Sequence, residues 1–179
     1  MSPPRSPLSP HLASSLSPKN SPRLPDADSY RVVDVPKDGN CLFRAIWIVA
    51  NEEAKCAVSR FGKLPGHKLM RKLAVNHIRE GFAWTQIRVA QSENRVGKQY
   101  KTKEEYLKYV GRDKVWGGSM EIEALSEALG VTICILAEFA TECVGSGSRK
   151  VFILYSGSNH YQAMVPRSKV RKRSREACS

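Results

Sequence analysis

The chain reads as an α+β domain, an α/β-layered arrangement of a few helices and short strands. Three observations point there. Apolar residues recur at helical spacing over about 65–80, 102–111 and 119–129. The segment from Cys41 to about Glu53 is apolar on nearly all sides, as a buried helix is. Val131–Leu136 and Val151–Tyr155 are short continuous apolar runs, which suits strands buried on both faces.

The elements follow in order. Tyr30–Val35 reads as a short opening strand, stopped by Pro36, which has no N–H for a ladder. The helix from Cys41 carries Leu42, Phe43, Ile46, Trp47, Val49 and Ala50, with Arg44 and Asn51 as polar exceptions. In the second helix Leu69, Met70, Leu73, Ala74, His77 and Ile78 form one stripe, and Gly81 can end it. His77 is expected to be a satisfied core or boundary histidine, and His67 a solvated one. Thr102-Lys103-Glu104-Glu105 is a capping box for the third helix. Ser119 can cap the fourth, in which Ile122, Leu125 and Leu129 precede Gly130. A last strand is expected at His160–Val165, joined to Val151–Tyr155 by Ser156-Gly157-Ser158-Asn159.

Composition sets the outer bounds. The 179 residues, 41% hydrophobic, suffice for one domain with a real core. Residues 1–29 hold seven of the ten prolines, eight serines and five Ser-Pro steps. Such a segment cannot bury enough apolar surface to offset its chain entropy, so a disordered leader is expected. The folded domain should span 30–166, and 167–179 is a basic flexible tail with six basic residues against one acidic. The tail suits a nuclear import signal, a phosphate-binding arm or a solvated end. No N-terminal stretch is apolar and long enough for a signal peptide or a membrane span, so no membrane partner is expected. The five cysteines are odd in number and hold no Cys-x-x-Cys, so neither metal nor cofactor is expected. They fit a reducing, cytoplasmic compartment. Cys134, inside Val131–Leu136, is expected to be strand core.

The chemistry concentrates at two places. Asp38-Gly39-Asn40 is a turn that delivers Cys41 to the first turn of the buried helix. Unpaired N–H groups and the helix dipole there should lower the thiol pKa. Far along the chain, Asn159-His160-Tyr161-Gln162 offers a histidine that could complete a Cys/His pair.

The order of residues resembles the ovarian tumour (OTU) family of cysteine peptidases. The run Asp38-Gly39-Asn40-Cys41-Leu42-Phe43-Arg44-Ala45 is similar to that family's active-site signature. Trp116-Gly117-Gly118 with the following Glu121–Leu129, and His160-Tyr161 after Val151–Tyr155, continue the likeness across about residues 30–166. The resemblance implies a papain-type fold, a small central sheet packed between helices. It implies a thiol-dependent isopeptidase that removes ubiquitin, as monomer or chain, or a ubiquitin-like modifier. A monomeric enzyme is expected.

In that reading Cys41 is the nucleophile and His160 the proton carrier. Asp38 would brace the turn, and the Cys41 N–H with neighbouring turn N–H groups would hold the oxyanion. Gly39 and Asn40 would border the substrate. Trp116, Gly117 and Gly118 resemble the wall of a narrow channel for a tail ending Gly-Gly. The family commonly places Asp or Asn two residues after the histidine; here that position is Gln162. A Gln carbonyl can fix the imidazole tautomer but brings no charge. Gln162 is the expected third member, with Asn159, Asp34 or another acid as alternatives.

Other classes remain open to the sequence. One is a polyprotein-processing cysteine peptidase of a virus or mobile element. Another is a catalytically weak ubiquitin-binding module, suggested only by Gln162. A nucleic-acid-binding role, suggested by the net charge of +12, is unsupported because the basic residues are not interleaved with aromatics.

Overall fold

The computed structural model describes residues 29–58, 64–83, 85–86, 100–138, 140–157 and 159–167. The expected leader and tail lie almost wholly outside the described residues. The described helices are α1 (Cys41–Val58), α2 (Gly66–Gly81), α3 (Lys103–Val110) and α4 (Ser119–Leu129). The strands are β1 (Tyr30–Val33), β2 (Val131–Leu136), β3 (Thr141–Val144), β4 (Arg149–Ser156) and β5 (His160–Pro166). They form one mixed sheet in the order β1-β5-β4-β2-β3, in which β2 and β4 run parallel and the other neighbours antiparallel. The α+β expectation therefore holds.

Local chemistry explains most boundaries. Thr102 caps α3 by accepting the Glu105 N–H at 3.2 Å, though the Glu105 carboxylate reaches back to the Lys101 N–H rather than to that of Thr102. The cap of α4 is not Ser119, which is its first helical residue. Gly118 takes the cap position, and its N–H donates to the Glu121 carboxylate at 2.7 Å. Gly130, at φ 64°, turns the chain out of α4 and straight into β2, a conformation open to glycine. Helix α1 runs past the expected end near Glu53 and breaks helical geometry at Asn51.

The main core lies between α1 and the sheet. Leu42, Phe43 and Ile46 from the first turns of α1 are fully buried, against Ile133, Ile153 and Ala163 of the sheet. Each such side chain contributes about 1.5–3 kcal/mol on burial, so the start of α1 is anchored hard. A second cluster, with Val75, Ile78, Leu107, Val110 and Met120, joins α2, α3 and α4. Strand β2 is buried on both faces; β4 is fully buried only on the face that carries Val151 and Ile153, with Phe152 and Leu154 on the other face half-buried, which corrects the two-face expectation for it. Cys134 is buried as expected, but its sulfur is joined to Cys143, the residue opposite it on β3. The sequence reading paired no cysteines, because β3 itself was missed.

Candidate active site

The turn before α1 is closed by the Cys41 N–H donating to the Asp38 carbonyl at 3.1 Å. Asp38 also accepts the Asn40 N–H through Oδ1 at 2.9 Å and pairs with Arg44 through Oδ2 at 2.9 Å. Asp38 thus ties the turn together, with Arg44 as a second support. The Asp38 N–H donates to Pro36. Of the four turn amides, those of Asp38, Asn40 and Cys41 have acceptors in the resting turn. The oxyanion role expected of the Cys41 N–H therefore requires that amide to turn from Asp38 toward substrate.

Gly39 and Asn40 are placed differently from expectation. Any side chain on Gly39 would overlap the Lys114 carbonyl, so the glycine serves a close backbone approach from the loop after α3. Asn40 is 1% exposed and its side chain faces inward. It donates to Asp113 at 3.0 Å and accepts from Arg71 at 2.7 Å and from the Lys114 N–H at 3.2 Å. Its Oδ1 and one of its two Nδ2 hydrogens are thus engaged inside the protein, so the Asn40 side chain supports the turn from beneath rather than bordering open space.

Cys41 is 1% exposed. Burial pushes its thiol up, while the N–H groups of Tyr161 and Leu42, aimed at the sulfur, pull the other way. The expectation of a lowered resting pKa is corrected: desolvation outweighs the helix tip. The Tyr161 contact brings the start of β5 to the start of α1.

His160 opens β5, 3% exposed. Its Nε2 lies 3.1 Å from Asp34 Oδ1. A carboxylate only accepts, so Nε2 carries the proton. Nδ1 is buried with no partner among the described residues. The ring is therefore held at one nitrogen with a free lone pair at the other. The His160 hydrogen bond, followed by that of Gln162, holds the Asp34 carboxyl below its ordinary value.

Gln162 does not bond to His160 in this structure. Its Nε2 donates to Asp34 Oδ1 at 3.0 Å, and its Oε1 accepts from the Ser156 hydroxyl at 3.0 Å. Asp34 takes the orienting place because β1 pairs with β5: Val33 sits opposite Ala163, so the next residue arrives beside Gln162. The register thus brings Asp34, rather than Gln162, against the His160 ring.

Trp116 packs against the main core, and a Cβ on Gly117 would come within 2.8 Å of Leu42 and 2.9 Å of Phe43. A Cβ on Gly118 would meet open space. Buried Glu121 accepts from Gly118 and, at 2.6 Å, from the Tyr106 hydroxyl, fixing this segment beside the start of α1. His77 is a boundary histidine, 2.8 Å from Glu127, as expected. His67 is not simply solvated: its side chain is 16% exposed, and Asp113 lies 4.0 Å away. Arg71 was missed entirely, although an arginine inside the apolar stripe of α2 was a visible signal.

The OTU-like cysteine protease family profile matches residues 36–165. The chain is 29% identical over 150 residues to ovarian tumor domain-containing deubiquitinating enzyme 4 of Arabidopsis thaliana, covering 76% of this chain and 43% of that protein. It is 26% identical over 168 residues to RNA-directed RNA polymerase L of Crimean-Congo hemorrhagic fever virus, covering 89% of this chain and 4% of that protein. The chain thus spans less than half the length of these curated relatives. The Hazara virus OTU structure, solved bound to ubiquitin, superposes with a TM-score of 0.56 at 24% identity, covering 79% of this chain and 84% of that one. With the family profile running from just before the Asp38–Cys41 turn to beyond His160, the chain belongs to the OTU-like cysteine protease family.

Proposed function

We propose that this domain is a thiol isopeptidase that releases ubiquitin, or a ubiquitin-like modifier, from lysine side chains. One observation carries it: His160 is bonded to Asp34 at Nε2, free at Nδ1, and adjacent to the Tyr161 N–H that points at the Cys41 sulfur. The names of relatives add support, since the plant protein is called a deubiquitinating enzyme and the Hazara virus domain was solved with ubiquitin.

In this mechanism His160 Nδ1 takes the thiol proton as Cys41 attacks the isopeptide carbonyl. The Asp34 carboxylate stabilises the imidazolium and holds its tautomer. Turn N–H groups receive the oxyanion. Collapse breaks the C–N bond, and the lysine amine leaves with the proton from His160. Water, deprotonated by His160, then hydrolyses the thioester, returning the thiol and a carboxylate at the modifier's C-terminus. Gly118, with open space where a side chain would stand, lets an unbranched Gly-Gly tail approach.

No described helix is long and apolar enough to cross a membrane. A cytoplasmic site of action, with nuclear entry through the basic tail, is part of the proposal. Turnover of a ubiquitin–fluorophore conjugate tests the reaction. The wild-type chain should cleave it and Cys41→Ala should not; cleavage that survives Cys41→Ala would overturn the assignment.

A further inference from the structure

Arg71 sits on the buried stripe of α2 and is 4% exposed. A guanidinium stripped of water persists only where acceptors replace its hydration. Here the acceptors are mainly backbone carbonyls. Nη1 donates to Val110 at 2.7 Å. Nη2 reaches the carbonyls of Gly39 at 2.9 Å and Val115 at 2.7 Å, together with Asn40 Oδ1 at 2.7 Å. The guanidinium carbon lies 4.1 Å from the centroid of the Phe43 ring, two residues past the nucleophile. Desolvation lowers its pKa to about 10, so it keeps its charge at neutral pH.

The acceptors belong to two separate stretches of chain. One is the turn that ends at Cys41. The other runs from Val110, the last residue of α3, through the loop that follows, which contains Lys114 at φ 61° and presses its carbonyl against Gly39. The turn is closed from Cys41 to Asp38, so its central peptide is Gly39–Asn40. Reorientation of a central peptide is what distinguishes the two common turn types. In this turn both ends of that peptide are held, the N–H by Asp38 Oδ1 and the carbonyl by Arg71.

We propose that Arg71 is a positioning residue for the thiol reaction, clasping the Gly39–Asn40 peptide to the 110–115 loop so that the turn presents Cys41 to the scissile carbonyl in one geometry. Its effect on rate rests on Cys41 being the nucleophile. Without Arg71, three carbonyls and an amide oxygen converge on a buried point that lacks a donor, and the two segments part. Attack geometry then becomes a fraction of the ensemble, and misplacement of this kind costs on the order of 100-fold in rate.

The test uses the full chain with Arg71→Met, Arg71→Ala and Arg71→Lys. In folded Arg71→Met and Arg71→Ala, kcat on a ubiquitin–fluorophore conjugate should fall on the order of 100-fold, with KM changed less than about 3-fold. Arg71→Lys should recover part of the loss, because an ammonium donates but cannot span both segments. Hydrogen exchange should accelerate in peptides covering 36–44 and 110–116, while the sheet and α4 stay protected. Unchanged kcat, or a loss that merely follows a uniform rise in exchange, overturns the proposal. Should no Arg71 variant fold, the wild-type side chain decides. Its Nη protons should exchange slowly in NMR spectra, and exchange as fast as that of exposed arginines would refute the clasp. A wild-type chain that cleaves no ubiquitin conjugate refutes the isopeptidase reading instead, and the exchange pattern still judges Arg71.

Discussion

Asp34 and Gln162 separate charge from support. Asp34 touches His160 directly, and the Gln162 side chain bonds to Asp34 and Ser156. Asp34→Ala should therefore lower kcat by roughly 100- to 10,000-fold, as when an orienting aspartate is lost from a catalytic triad. Gln162→Ala should cost less than about 10-fold, since one neutral hydrogen bond contributes about 1 kcal/mol net. Steady-state turnover of a ubiquitin conjugate measures both, and a larger loss in Gln162→Ala would reverse their roles. Cys41 adds a pH signature. Its folded-state pKa is raised by burial, so the neutral thiol is favoured in the resting protein. That contribution to stability is complete below the ordinary thiol pKa of about 8.5 and is lost as pH rises through the higher folded value. Iodoacetamide should accordingly alkylate free Cys41 only with an onset above the ordinary thiol range. An onset below pH 7, read by mass spectrometry, would show that the sulfur is already a thiolate. Asp34 runs the other way: its lowered pKa keeps the carboxylate charged until the pH drops below the usual range.

At the scale of elements, two adjacent glycines before α4 do different work. Gly117 is pressed against Leu42 and Phe43, and Gly118 faces open space. Gly117→Ala should destabilise the fold by about 1–3 kcal/mol, the usual cost of overpacking. Gly118, at φ −136°, accepts a side chain without backbone strain. Gly118→Ala should keep its melting temperature yet raise KM for a ubiquitin substrate, because the methyl narrows the tail's approach. Equal melting temperatures for the two variants would contradict the packing; an unchanged KM in Gly118→Ala would remove Gly118 from the channel. The other element that matters is β3. Thr141–Val144 is four residues long, half-buried throughout and flanked by Gly145 and Gly147. An edge strand with no alternation leaves no period to detect, so the Cys134–Cys143 pairing across it was equally hidden.

For the whole molecule, the expected division is a leader at 1–29, a domain at 30–166 and a tail at 167–179. Of the flanking segments, the described Arg167 bonds to the carbonyls of Ser29 and Tyr30 beside β1. Removing residues 1–28 should leave both the melting temperature and ubiquitin turnover nearly unchanged. A drop in either would show the leader docked on the domain.

The sequence by itself determined the helices, four of the five strands, the turn before Cys41 and the candidate histidine. These are local properties: apolar period, a Gly-Asn turn and caps within four residues of where they act. The Asn40–Asp38 hydrogen bond is local in the same sense, since it spans only two residues. Tertiary structure decided the rest. Asp34 reaches His160 across 126 positions because β1 and β5 share a register, and no local pattern encodes a register. Asn40 turned inward because Arg71 and the 110–115 loop meet it there. The Cys41 thiol was pushed up because burial, a property of the packed whole, outweighs a helix tip that the sequence can display.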